Sequence, residues 1–263
     1  MIELHPSEFA GVAPLLEGIQ QKALPSAICQ GYSPGRIFVD RRDLPQLILV
    51  WSALGYYFIA GSPVLAHAVK ASRVLREIFV PASQAGGESS FILVPAQAGW
   101  KEHLPALLPG QEVIEIYRRP FQFNLAQFQA LPAWQARIPP GCQLRIMDAA
   151  LTEKLGAPPG WFSSEAFLAN GLGIALLAGD EIASLCVSVF ASRERMEMDI
   201  HTEEKHQRKG FAALAASAFI EECLRRGKQP NWECFWENKA STALAEKLGF
   251  QAEADYPVYY WEA

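Results

Sequence analysis

The stretch HTEEKHQRKGFAALAASAFIEECL, His201 to Leu224, decides the fold: a polar, basic, glycine-centred turn runs straight into a long helix. Phe211, Leu214, Ala215, Ala218, Phe219, Glu222 and Cys223 recur at helical spacing, and all but Glu222 are apolar. A helix from about Phe211 to Arg226 is therefore predicted to bury one face, with Gly227 closing it. A helix start ordinarily favours acidic side chains, because its unpaired amides and macrodipole carry positive charge. Here Gln207, Arg208 and Lys209 hold that end. A phosphate would relieve the mismatch, since free amides can cradle it and Gly210 lets the backbone come close.

The flanks of this stretch extend the pattern. Upstream, RMEMDIHT (Arg195 to Thr202) alternates Met196, Met198 and Ile200 against Glu197, Asp199 and His201, as in a half-buried strand with two carboxylates on one face. Downstream, Asn231 to Trp236 reads as a strand. NKASTALAEKLGF then carries the punctuation of a short helix: Asn238 as N-cap, a stripe of Ala240, Leu244 and Leu248, Gly249 as the left-handed terminator, and Phe250 folding back. Further upstream, CQLRIM reads as a strand, DAALTEKL as a helix capped by Asp148, and SSEAFLAN as a second helix. GLGIALLAG and EIASLCVSVFAS form a hairpin turning at Gly179 and Asp180.

This succession resembles the GNAT superfamily of acyl-CoA-dependent N-acetyltransferases. The family's phosphate-turn signature, Q/RxxGxG/A, is met by QRKGFA through Gln207, Gly210 and Ala212, and its second motif by Asn238, Ser241, Leu244, Lys247, Gly249 and Phe250. The resemblance covers roughly the last 120 residues. It implies a mixed, largely antiparallel sheet flanked by helices, with a GNAT domain over 141–263. Pro132, Pro139, Pro140 and Gly141 punctuate the middle of the chain and place the boundary there. Residues 1–135 read as another α/β unit. Its strands are Ile37 to Val39, Leu47 to Trp51, Tyr57 to Ala60, Ser90 to Val94 and Val113 to Tyr117, with helices near Pro63 to Glu77 and Trp100 to Leu108. Relatives with a long N-terminal region imply that this unit is a degenerate GNAT-like copy, and no QRKGFA-like motif occurs in it.

Composition narrows the classes. Half the residues are hydrophobic and the net charge is −5, which suits a globular chain and lacks the basic footprint of a nucleic-acid binder. Five cysteines without a CxxC pair indicate neither a disulfide framework nor a zinc ribbon, so no metal is expected. MIELHPSEF has no signal-peptide pattern, and the expected location is the cytoplasm. The most apolar stretch, Leu47 to Gly61, is short for a membrane span and is broken by Ser52 and Gly55; two buried strands joined by a turn explain it. Gly171, Leu172 and Gly173 precede a strand where a dinucleotide fingerprint follows one, and no P-loop string occurs.

The resemblance implies transfer of an acetyl group from acetyl-CoA to an amine on a small molecule or peptide. Backbone around Ile200, His201 and Thr202 would hold the pantetheine. Gln207, Arg208, Lys209, Gly210, Phe211, Ala212 and Ala213 would hold the pyrophosphate, with Asn238 and Ser241 contributing from the short helix. A lysine-like acceptor titrating near ~10.4 must lose a proton before its nitrogen attacks, so a carboxylate base is required. Glu197 is the first candidate, Asp199 the second and Glu233 the third, while His201 could relay a proton. Trp232, Phe235 and Trp236 are candidates for the acyl pocket. Many relatives keep a tyrosine after the leucine of the short helix, but Leu244 is followed here by Ala245. Ser241, Cys234, Tyr256, Tyr259 and Tyr260 stand as alternative acids, or the thiolate leaves unaided. A coenzyme-binding module without turnover is the alternative function.

Overall fold

The computed structural model describes residues 1–262. The strands run in chain order as β1 (Ile2–Glu3), β2 (Gly35–Val39), β3 (Leu47–Ser52), β4 (Tyr56–Gly61), β5 (Ser90–Pro95) and β6 (Ile114–Phe123). There follow β7 (Cys142–Ile146), β8 (Gly173–Ala178), β9 (Glu181–Ala191), β10 (Arg195–Thr202), β11 (Gln229–Phe235), β12 (Phe250–Ala252) and β13 (Tyr256–Glu262). Helices flank a mixed, largely antiparallel sheet, as the sequence predicts. Two compact units form: Met1–Arg118 with Tyr256–Ala263, and Arg119–Asp255.

The first unit orders its strands β1-β2-β3-β4-β5-β13-β6, antiparallel except for β4 beside β5. The apolar Leu47–Gly61 stretch is the β3–β4 hairpin, and Gly55 at φ 69° makes its turn. Tyr57 stacks on Phe91 with ring centres 5.6 Å apart, and Phe79, Trp100, Tyr259 and Trp261 complete a buried aromatic core. Where the sequence predicts a helix ending near Glu77, helical structure continues through a π turn at Leu75–Phe79 into Val80–Ala85. Pro81 has no N–H to give a helical ladder, and the wider turn lets the chain carry it without stopping.

In the second unit β7, β8, β9 and β10 form an antiparallel meander, β11 joins β10 in parallel, and β12 pairs with the second half of β6. The helix Phe211–Arg225 packs against this meander. Its burial is wider than the predicted stripe: every residue from Ala213 to Ile220 is buried, because Ala213, Ala215, Ala216 and Ala218 bring neighbouring elements close all round. Gly227 closes it at φ 72°, its N–H donating to the Leu224 carbonyl and that of Lys228 to the Cys223 carbonyl.

Two boundaries differ from the sequence reading. The division falls at Arg118/Arg119, not at the prolines, because Trp134 and Gln135 of the 132–141 segment donate to Glu221 on the Phe211–Arg225 helix and so belong to the second unit. The C-terminal strand β13 belongs to the first unit, where it lies between β5 and β6. Asn238 caps Lys239–Lys247 through the Ser241 amide and Gly249 is left-handed at φ 87°, as expected. The buried face of that helix is nevertheless Thr242, Ala245 and Leu248 with Leu244 half-buried, and Ala240 is exposed. Phe250 opens β12 and packs on Trp232 and Phe123.

Candidate active site

Strand β10 has two different neighbours. Along its β9 side, pairing continues from Met196 to Thr202, with a bulge between Glu197 and Met198. Along its β11 side the parallel ladder comprises Arg195↔Gln229, Met196↔Pro230 and Glu197↔Asn231, and there it stops. The Glu203 N–H donates to the Ala183 carbonyl on β9, so strand alternation turns the backbone groups of Met198, Ile200 and Thr202 the other way; the Met198 N–H completes the last rung with β11, and beyond it β11 no longer pairs. From the Met198 carbonyl through Ile200 to the Thr202 N–H, backbone groups that a sheet would ordinarily satisfy thus have no rung on β11. Bulges of this kind re-aim a strand beside functional sites.

From Thr202 the chain passes through one turn of 3₁₀ helix at Glu204–His206 into the glycine turn. Gln207 folds its side chain back, Nε2 donating to the Thr202 carbonyl at 3.2 Å. Arg208 holds φ 61°, a region few side-chain-bearing residues adopt, and Gly210 holds φ 81° as the N-cap. No side chain caps Phe211–Arg225 at this end and its first turn has no acidic residue. Lys205 is tied to Glu181 at 2.6 Å, a bond that holds the Glu181 carboxyl below the usual range. Among the described residues no carboxylate pairs with Arg208 or Lys209, and both are exposed. His206 stacks on Phe211, 5.8 Å between ring centres, and its Nε2 lies 3.6 Å from Glu181. Ala212 is half-buried and Ala213 buried at the helix entrance.

The three candidate carboxylates share one face of β10 and β11 by alternation, in different surroundings. Glu197 is 5% exposed and accepts from Asn231 Nδ2; Asp199 is exposed and Glu233 half-buried. His201 is exposed with Nε2 3.5 Å from Glu203, and the Thr202 hydroxyl bonds Ser184. Ile200 is half-buried. The carboxamide oxygen of Asn238 is committed to capping, and Ser241 Oγ accepts from Trp232 Nε1 at 3.0 Å. Trp232 is core, whereas Phe235 and Trp236 are exposed. Cys234 is buried against Thr242, and Tyr256, Tyr259 and Tyr260 lie in the first unit. Ala245, where the resemblance implies a tyrosine, is fully buried. The residue the sequence reading passed over is Asn231: its link to Glu197 depends on a register between strands 34 residues apart, which no local pattern signals.

Among the described residues no group of three or more His, Cys, Asp or Glu side chains is placed to hold a metal ion. None of their helices is long and apolar enough to cross a membrane.

The model of the GNAT acetyltransferase family matches residues 13–259, about twice the length the local motifs suggested. An N-acetyltransferase of Bacillus subtilis strain 168, YdfB, is 28% identical over 235 residues, which is 86% of this chain and 85% of that protein. A GCN5-related N-acetyltransferase-like protein from Streptococcus suis superposes with a TM-score of 0.74 at 24% identity, covering 97% of this chain and 99% of that one. A tandem GNAT protein from the clavulanic acid biosynthesis pathway gives 0.59 at 12% identity, over 98% and 94% of the two chains.

Proposed function

Given that this chain belongs to the GNAT acetyltransferase family, we propose that it transfers an acetyl group from acetyl-CoA to a primary amine of a small molecule or peptide by direct attack. The observation that carries the proposal is the early end of the β10–β11 ladder, which leaves backbone from the Met198 carbonyl to the Thr202 N–H without a β11 partner on the strand that runs into an uncapped helix start. The residues fit the coenzyme. Extended backbone without a strand partner suits the amides of a pantetheine arm. The amides at Gly210 to Ala213, with Arg208 and Lys209 beside them, suit a pyrophosphate, and open space at Gly210 lets it approach. The coenzyme supplies the acyl group as an activated thioester.

The protein's own part is positioning and proton removal. An amide on the free side of β10 can donate to the oxygen on which charge develops. Glu197 is the general base, acting directly or through water: it sits where the strands part, is shielded from bulk solvent, and is held by Asn231. Asp199 and Glu233 on the same face favour a cationic amine near it. Cytoplasmic residence fits acetyl-CoA as donor, and the first unit, in keeping with a tandem GNAT protein of similar span, is a degenerate copy of the fold.

Release of free thiol from acetyl-CoA in the presence of primary amines tests the reading. Glu197→Gln is expected to lower kcat by roughly 10²–10⁴ while acetyl-CoA affinity stays within about threefold. An unchanged pH–rate profile in that variant would place the base elsewhere, and binding without turnover across the panel would leave only a coenzyme-binding module.

A further inference from the structure

Asn231 stands opposite Glu197 in the last rung of the parallel ladder, and its two ends meet two different charges. Its Nδ2 donates to Glu197 Oε2, while its Oδ1 accepts from the Arg195 guanidinium at 3.3 Å. Chemistry fixes this orientation, because a carboxylate only accepts and a guanidinium only donates; turning the amide over would set like groups against each other at both ends. Arg195 precedes Glu197 by two residues on the same strand, so cation, amide and carboxylate form a short chain along one sheet face.

We infer that Asn231, backed by Arg195, is a positioning residue for the Glu197 carboxylate, fixing Oε2 and keeping the group ionised in a shielded site. The inference rests on Glu197 being the base proposed above. A carboxylate that is 5% exposed is costly to keep charged unless it is hydrogen-bonded, and an amide whose oxygen is polarised by a guanidinium is a stronger donor than an isolated one. On this face also lie Asp199 from Glu197's own strand and Glu233 from β11, both acidic and both favouring protonation of Glu197. From β9 the register partner is Phe190, which brings no charge. Asn231 and Arg195 oppose the acidic pair on this face. A base that must be ionised when the ammonium arrives needs that opposition.

The test follows the Glu197 carboxyl directly in the free protein, by ¹³C NMR titration with the Glu197 signal assigned from the Glu197→Gln spectrum. It is paired with kcat/KM against pH for acetyl-CoA with butylamine, tyramine, lysine and spermidine. In Asn231→Leu, which keeps the size and loses the donor without adding charge, and in Asn231→Ala, both the titration and the acidic limb are expected to move up by about one pH unit. Activity below the limb falls roughly tenfold and the plateau above it stays within about threefold. Arg195→Gln should produce a smaller shift, and Arg195→Lys less still. A Glu197 titration that stays put in both Asn231 variants overturns the inference, whatever the rates do. If instead the acidic limb survives in Glu197→Gln, the assignment of the base fails, and the carboxyl titration still decides the role of Asn231. Should Asn231→Ala not fold, the similarly sized, uncharged Asn231→Leu carries the measurement.

Discussion

At Gly210 the conformation and the chemistry can be separated. Its φ of 81° is one that a side-chain-bearing residue reaches only at a cost of about 1–2 kcal/mol, yet a Cβ there would meet nothing within 4 Å. Gly210→Ala should therefore lower the melting temperature by a few degrees for conformational reasons alone and leave acetyl-CoA binding largely intact. Gly210→Asp carries the same backbone cost and adds a negative charge at the helix start, so calorimetry should show affinity falling at least tenfold. Equal affinity in the two variants would mean that no anion sits at this turn. The neighbouring Arg208 is the residue the sequence pattern could not interpret fully: its positive charge was legible, its φ of 61° was not, because nothing but the fixed path from β10 into the helix imposes it.

The helices show how far local patterns reach. The start, end and caps of Phe211–Arg225 and Lys239–Lys247 lie within a residue or two of the sequence reading, since glycine terminators and an Asn cap are local chemistry. The breadth of burial on the first and the rotation of the buried face on the second were not legible, because both depend on what packs from outside the helix. Ala245 illustrates it: the residue that breaks the family pattern is fully buried, so at this position the helix presents a small core contact. The last turn of Phe211–Arg225 carries a testable ionic device. Glu222 accepts from Arg225 and Arg226, and the Arg225 bond leads in holding its carboxyl down to about 2. Arg226 in turn donates to the Gly171 carbonyl at 2.7 Å, tying the helix end to the start of β8. A depressed folded-state value means that the stabilisation is complete above the ordinary carboxylate range near ~4.5 and is lost as pH falls toward ~2. Unfolding measured across that window should show native protein losing up to about 1 kcal/mol relative to Glu222→Gln, with the two curves parallel above pH 6.

Over the whole chain, strand order was the harder thing to read. Most strands are visible as apolar or alternating runs, whereas β1, β12 and β13 escape the sequence reading; the parallel partner of β10 and the place of β13 depend on contacts between distant segments, and the prolines that looked like a boundary instead lie within the second unit. The consequence is greatest at the C-terminus, which the motifs assigned to the coenzyme-binding half and which closes the sheet of the other unit. Tyr259 and Trp261 are 1% exposed in the aromatic core with Tyr57 and Phe91, and β13 pairs with β5 on one side and β6 on the other. Trp261→Ala should cost about 3–5 kcal/mol, the range for emptying a buried aromatic position. Truncation after Asp255 removes the strand outright, leaves β5 and β6 with open edges, and takes two large side chains from a core that cannot refill them. Hydrogen exchange is then expected to lose protection over β2 to β5, residues 35–95. Over β8 to β10 and the Phe211–Arg225 helix, whose core residues belong to the other unit, protection should survive. Uniform loss in both regions would show that the two units fold as a single cooperative body, and unchanged protection in β5 would contradict the placement of β13.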